Sequence, residues 1–282
     1  MDKCFLNGRM MPLSEATISP LDRGFLFGDG VYEVVPVYSG KLFCWARHAR
    51  RLARNLAEIQ IDYDVETLLA PAESLIAAAG ESELSLYIQI TRGVGTKRAH
   101  AFPQPPLPPT VFMLATPRAS VAEEKRRDGV SCHTMKEFRW RRADIKAVSL
   151  LGAVLAAQQA AERGDEEVIL LRDGIVGEAA VCNVFVIAGG ALRTPKADER
   201  ILPGITREVV LELARAENIP VSENDITRAE LAAADEIWLS SSTREILPVT
   251  SLDGAPVGDG KPGAIYAAVF AAFQRFVTSG GA

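Results

Sequence analysis

Cysteine, histidine and long apolar runs are all scarce in this chain, and each shortage excludes a class of function. Four cysteines, Cys4, Cys44, Cys132 and Cys182, lie scattered over 282 residues with no CxxC pair. A disulfide framework or a zinc site needs tighter spacing, so each reads as a small buried hydrophobe in a reducing cytoplasm. The three histidines stand at no ligand spacing to the cysteines, and no metal is expected. No uncharged apolar stretch approaches membrane-spanning length, and Met1–Leu13 lacks the continuous apolar segment of a secretory signal, so a soluble protein is expected. An excess of basic charge is missing too. With 31 Lys+Arg against 36 Asp+Glu the net charge is -5, which argues against nucleic acid or an anionic membrane as main partner. Repeats and low-complexity segments are absent.

What remains is an ordinary globular composition, 48% hydrophobic and 24% charged, long enough for one large or two ordinary domains. Turn pairs organise the strands. Asn7-Gly8 separates Cys4–Leu6 from Arg9–Met11, Ser39-Gly40 separates Val31–Tyr38 from Lys41–Cys44, and Asp173-Gly174 separates Glu167–Leu171 from Ile175–Glu178. Gly189-Gly190 does the same between Val184–Ile187 and Ala191–Thr194. Leu84–Thr91, Thr110–Ala115 and Ile237–Ser240 read as further strands. Helical periods run over Ala46–Ile59, Val65–Ala79, Thr206–Ala216 and Ala264–Phe276, with Pro71 clouding the second. Ser149–Arg163 reads as an Ala-rich helix with Leu151, Val154 and Leu155 on its inner side. Thr116–Asp128 holds Pro117 and a charge run without apolar period. The expected division is therefore an N-terminal α/β domain over 1–118, a linker over 119–124, and a larger C-terminal domain with antiparallel strands over 125–282. Hairpins mixed with separate helices point to α+β, not a doubly wound parallel sheet.

Several residues could carry chemistry. Lys146, in Asp144-Ile145-Lys146-Ala147-Val148, stands just ahead of an apolar helix; desolvation there would favour the neutral amine needed for a Schiff base. Local sequence alone equally describes a lysine whose stem packs and whose head reaches water. Pro203-Gly204-Ile205-Thr206 opens a helix, where backbone N–H groups suit a phosphate or serve as an ordinary helix start. Ser240-Ser241-Ser242-Thr243 offers hydroxyls after a strand, a second phosphate wall or a polar turn. Glu178 precedes an apolar strand. Arg98-Ala99-His100 could clamp a carboxylate, or be a solvated loop. His48 and Arg51 lie three apart and share a helix face.

In order, these segments resemble one family. Phe27-Gly28-Asp29-Gly30-Val31-Tyr32-Glu33, His48–Leu52, Thr91-Arg92-Gly93 to His100, Asp144-Ile145-Lys146 through Leu155, Glu178–Phe185, Leu202–Arg207 and Ser240–Pro248 are similar to the class IV pyridoxal-phosphate aminotransferases, closest to the D-amino-acid aminotransferases. The spaced set Glu178, Asn183, Phe185, Thr194, Gly204 and Arg207 looks like the family signature.

The resemblance implies a two-domain fold type IV enzyme with pyridoxal 5′-phosphate carried on Lys146. Glu178 would face the pyridine nitrogen. Arg51, Ile205, Thr206, Ser241 and Ser242 would hold the phosphate, and Leu202 would lie on the ring face. Tyr32, Val34, Arg98, His100 and Thr243 would meet the substrate, with Arg98 and His100 lent by the other subunit of a homodimer. Amino and 2-oxo acids are the partners implied, and the Arg98–His100 loop favours D-amino acids. Within the family, an (R)-amine transaminase, a branched-chain aminotransferase or an aminodeoxychorismate lyase stand as alternatives. Outside it stands a non-catalytic binding protein on the same fold. Val181 and Cys182 replace serines of close relatives, and Arg244 has no role on this pattern.

Overall fold

The turn pairs read from the sequence fold as hairpins because both of their residues adopt positive φ. At Asn7-Gly8 these angles are 49° and 86°, the twist that joins two antiparallel strands in two residues. The computed structural model describes residues 3–280; the outermost positions of the two expected domain ranges, 1–2 and 281–282, lie outside the described residues.

Contacts divide the chain into two units at Ala119/Ser120, with Ile145–Leu150 and Gly280 grouped with the first unit, although both fall within the range expected for the C-terminal domain. The first unit holds strands β1 (Lys3–Leu6), β2 (Arg9–Pro12), β3 (Gly30–Tyr38), β4 (Lys41–Leu42), β5 (Leu84–Thr91) and β6 (Thr110–Pro117). They form one antiparallel sheet in the order β2-β1-β6-β5-β3-β4. Its helices are α1 (Arg23–Phe27), α2 (Trp45–Glu58) and α3 (Leu69–Ala79). The core joins Val31 and Val35 of β3, Leu52 and Leu56 of α2, Leu75 and Ile76 of α3, and Ile145. The helix expected over Val65–Ala79 divides into a 3-10 turn, Val65–Leu68, and α3; Pro71 sits in the first turn of α3, where its missing N–H donor costs no bond within that helix.

The second unit opens with α4 (Glu123–Arg127), a short helix in a stretch that carries no apolar period. Then follow β7 (Val130–Lys136), α5 (Leu151–Arg163), β8 (Glu167–Arg172), β9 (Ile175–Ala179), β10 (Asn183–Ala188) and β11 (Ala191–Thr194). The rest are α6 (Ile205–Ala216), β12 (Val221–Glu223), α7 (Arg228–Ala232), β13 (Glu236–Ser241), β14 (Glu245–Leu252), β15 (Ala255–Pro256) and α8 (Ala264–Thr278). The sheet runs β12-β11-β10-β13-β14-β7-β8-β9, with β15 paired to β14. It is mixed: β7 lies parallel to both β8 and β14, and β11 parallel to β12.

One expectation is corrected. Leu151, Val154 and Leu155 face outward, 70%, 58% and 49% exposed, whereas Ala153, Ala156 and Ala160 are buried. The alanine stripe lets α5 approach Val168 and Leu170 of β8 closely, and larger side chains on that face would hold the helix off. All four cysteines are buried and none is in a disulfide, as read from the sequence. No helix among the described residues is long and apolar enough to cross a membrane.

Candidate active site

In the first unit the site is built on β3. Its alternation buries Val31, Glu33 and Val35 on one side and leaves Tyr32 and Val34 half-buried on the other. β4 pairs only with Val37 and Tyr38, so the opposite end of that strand edge is open to another partner. The Lys146 segment takes it: Tyr32 N–H donates to the Lys146 carbonyl at 3.0 Å, and Val148 N–H to the Gly30 carbonyl at 3.1 Å. These two bonds flank Ala147, bridge it to Val31, and fix the backbone from the Lys146 carbonyl onward. Its Nζ lies 4.2 Å from the centre of the Tyr32 ring.

Behind Tyr32, the buried Glu33 carboxylate meets α2. Arg51 donates from Nε to Oε1 at 2.7 Å and from a terminal nitrogen to Oε2 at 2.8 Å, and His48 Nδ1 lies 2.8 Å from Oε2. Burial pushes the Glu33 carboxyl up, but the Arg51 charge and these hydrogen bonds outweigh it and hold the group well below its ordinary value. Burial also holds the His48 imidazole below its usual range, against the opposing pull of Glu33. Arg98 and His100 stay exposed and gather on one ring: the Arg98 guanidinium is 5.1 Å and the His100 ring 5.2 Å from the centre of Phe27.

In the second unit the centre is Glu178, near the end of β9 and 7% exposed. Its Oε1 accepts from Arg139 at 3.0 Å and its Oε2 from the Leu202 backbone N–H at 2.9 Å. Burial raises the carboxyl to about 7; the Arg139 charge and the Leu202 amide pull the other way without prevailing. They fall short because Arg139 is shared. Its Nε and the same terminal nitrogen also serve Glu137, at 3.0 and 2.7 Å.

The far side of Leu202 is held as firmly. Asn183 donates from Nδ2 to the Leu202 carbonyl at 2.8 Å, and a Cβ placed on Gly204 would come within 2.1 Å of Asn183 Oδ1. Glycine is therefore required where the chain enters α6. That helix has no side-chain cap, so the backbone N–H groups of its first turn, with Ile205 and Thr206 buried, are not spent on one. Strand register sets Asn183 opposite Ser240, which brings the hydroxyl turn beside the same corner. There Ser241 Oγ lies 3.5 Å from Thr243 Oγ1 and accepts from the Arg244 backbone N–H at 3.2 Å, while Ser242 sits half-buried in the turn.

Glu137 and Arg139 went unnoticed in the sequence because they lie outside every segment that carries the resemblance. The usable signal was opposite charges two apart in an extended stretch, which share a side. Arg244 now has a place: it donates to buried Glu167 at 2.7 Å and to Cys182 Sγ at 3.4 Å. Glu167 in turn accepts from the backbone N–H groups of Val168 and Ala180, so the pair ties down the turn that follows Glu178. Burial pushes the Cys182 thiol up to about 12, while Val181 is exposed.

The chain that carries these features is similar to known proteins along its length. Residues 30–252 match the family model described as amino-transferase class IV. The chain is 41% identical to the D-alanine aminotransferase of Listeria innocua over 94% of this chain and 92% of that protein. With the D-alanine aminotransferase of Staphylococcus haemolyticus it shares 38% identity over 99% of both. The branched-chain amino acid aminotransferase of Escherichia coli superposes with a TM-score of 0.89 at 25% identity, covering 97% of this chain and 94% of that one. On the match through both units, this chain belongs to the class IV aminotransferases.

Proposed function

We propose that the protein transfers the amino group of a D-amino acid of the D-alanine or D-glutamate type to a 2-oxo acid, in two alternating half-reactions. The observation that carries this reading is Lys146, whose segment is bonded into β3 through its own carbonyl and the Val148 N–H and whose amine lies over the Tyr32 ring. The choice of D-amino acids draws on the relatives: those at 38–41% identity are D-alanine aminotransferases, while the branched-chain enzymes that share the fold stand at 23–29%.

Pyridoxal 5′-phosphate is the cofactor of this class; it supplies an aldehyde that takes up the amino group and a ring that accepts the electron pair left when Cα loses its proton. The residues present fit it. Glu178 has an ordinary carboxyl brought to about 7, so at neutral pH it can hold or yield a proton at a ring nitrogen. Gly204 leaves the helix mouth without a side chain, and Ile205 and Thr206 present backbone N–H groups suited to a phosphate.

In this reading Lys146 carries the cofactor and moves the proton to and from the substrate's Cα. Arg51, kept in plane by Glu33, joins Ile205, Thr206, Ser241 and Ser242 at the phosphate, and Leu202, suspended between Glu178 and Asn183, lies on the ring face. Tyr32 and Val34 on one side of β3, with Thr243, meet the substrate. Arg98 and His100 trap its α-carboxylate in the active site of a partner subunit, so the working form is a homodimer. Fixing the carboxylate and the ring decides which face of Cα meets the Lys146 amine. Four buried cysteines outside any disulfide suit a reducing cytoplasm.

Incubation with D-alanine and 2-oxoglutarate is expected to yield D-glutamate; a chain that makes none is not this enzyme. Lys146→Ala is expected to lose the near-visible band of lysine-bound cofactor and at least about a thousandfold in turnover, on the scale of losing a covalent catalyst. Retention of both would transfer the role to another lysine.

A further inference from the structure

The Arg98-Ala99-His100 loop is irregular and its side chains are exposed, yet its backbone is held from below. Arg23, 4% exposed on α1, donates from one terminal nitrogen to the Ala99 carbonyl at 2.5 Å and from the other to the His100 carbonyl at 3.0 Å. Its Nε binds Asp29 Oδ2 at 2.7 Å. Asp29 is gripped from the other side by Arg92, through Nε at 2.8 Å and a terminal nitrogen at 2.9 Å. Arg92 in turn donates to the carbonyls of Ile59 and Gln60 and carries the Phe102 ring 3.6 Å above its guanidinium. Phe27, one turn along α1 from Arg23, is the platform on which Arg98 and His100 rest. One buried chain of charge thus runs from the end of α2 to both flanks of the loop.

We infer that Arg23 is a positioning residue for substrate recognition: its guanidinium fork, oriented by Asp29 and Arg92, sets where Arg98 and His100 stand. The inference rests on the proposed role of that loop as the α-carboxylate trap. Only arginine serves here, because three acceptors in different directions need a planar fork, which a lysine ammonium cannot supply on one rigid head. Burial pushes the Asp29 carboxyl up, and the bonds from Arg92 and Arg23 bring it below its ordinary value, so it stays a charged anchor at neutral pH.

The test uses holoenzyme of the wild type, Arg23→Lys and Phe102→Ala. Trypsin, which cuts after Lys97 and Arg98, reports the loop. The cofactor spectrum then follows half-reactions with D-alanine and with an amine that lacks a carboxylate. Arg23→Lys is expected to be cut in the loop several-fold faster and to show a KM for D-alanine raised about tenfold, the scale of a catalytic group slightly misplaced. Its kcat and its reaction with the simple amine should stay within about twofold of wild type, since no contact to the reacting atoms is lost. Phe102→Ala should move both readouts the same way by less, and it carries the test if Arg23→Lys does not fold. A loop cut at the wild-type rate overturns the inference, as does a loosened loop with an unchanged KM, or an equal loss on both substrates. If the wild type does not use D-alanine at all, the functional reading falls, and the cleavage rates alone decide whether Arg23 fixes this loop.

Discussion

Each unit buries one glutamate against an arginine, and the two carboxyls end in opposite states. Glu33 in the first unit receives two bonds from Arg51 and one from His48, and is driven far down from its ordinary value near 4.5. Glu178 in the second receives one bond from Arg139 and one from a backbone amide, and burial carries it up to about 7. Burial is common to both, so it is the share of cation that separates them. Arg51 gives Glu33 a paired grip, while Arg139 gives its paired grip to Glu137 and leaves Glu178 a single bond. A permanently ionised carboxylate braces a frame; one balanced near neutrality can exchange a proton.

Three substitutions would break or sharpen this contrast. The largest effect belongs to Glu33→Gln, which leaves Arg51 buried without its counter-charge and should cost about 3–5 kcal/mol in chemical denaturation. A loss below about 1 kcal/mol would mean that Glu33 is no brace. The wild-type brace should also weaken as pH falls below about 4.5, because the unfolded chain then takes up a proton that folded Glu33 refuses.

Glu178 has the opposite sign. Between about 4.5 and about 7 the folded protein keeps a proton there that the unfolded chain has lost, so stability of the cofactor-free form falls as pH rises. Thermal melts across that window should show a decline on the order of 3 kcal/mol from this group, absent in Glu178→Gln. Parallel curves for the two proteins would place the titration elsewhere. The smallest effect is expected from Glu137→Gln: with Arg139 released to Glu178, the midpoint of the decline moves to lower pH. An unmoved midpoint would show that sharing of Arg139 does not set the value.

Most strands were legible because their turn residues are local: Asn7-Gly8, Ser39-Gly40, Asp173-Gly174 and Gly189-Gly190 each fold as read. The parallel neighbours of β7 were not, since nothing near Val130–Lys136 specifies partners as distant as Glu245–Leu252. Periodicity found α5 but chose the wrong stripe. Leucine and valine outrank alanine in apolar area, yet the smaller residues were selected for close approach to β8. At the site, Lys146 and Glu178 drew notice through family spacing. Arg23, Arg139 and Glu137 escaped it because single charges carry no period, and Asp29, though inside a family segment, drew no role because its partner Arg92 is 63 residues away.

The Leu202 peptide has one more consequence. Glu178 seizes its N–H and Asn183 its carbonyl, and Asn183 is also wedged against Gly204 at the mouth of α6. The span from carboxylate to helix mouth is therefore gauged by a couple of residues with both ends clamped. On the proposed reading such a gauge would sort molecules by length: a ligand held at both ends would have to match the interval, and a homologue stretched by a single methylene would have to let go of one.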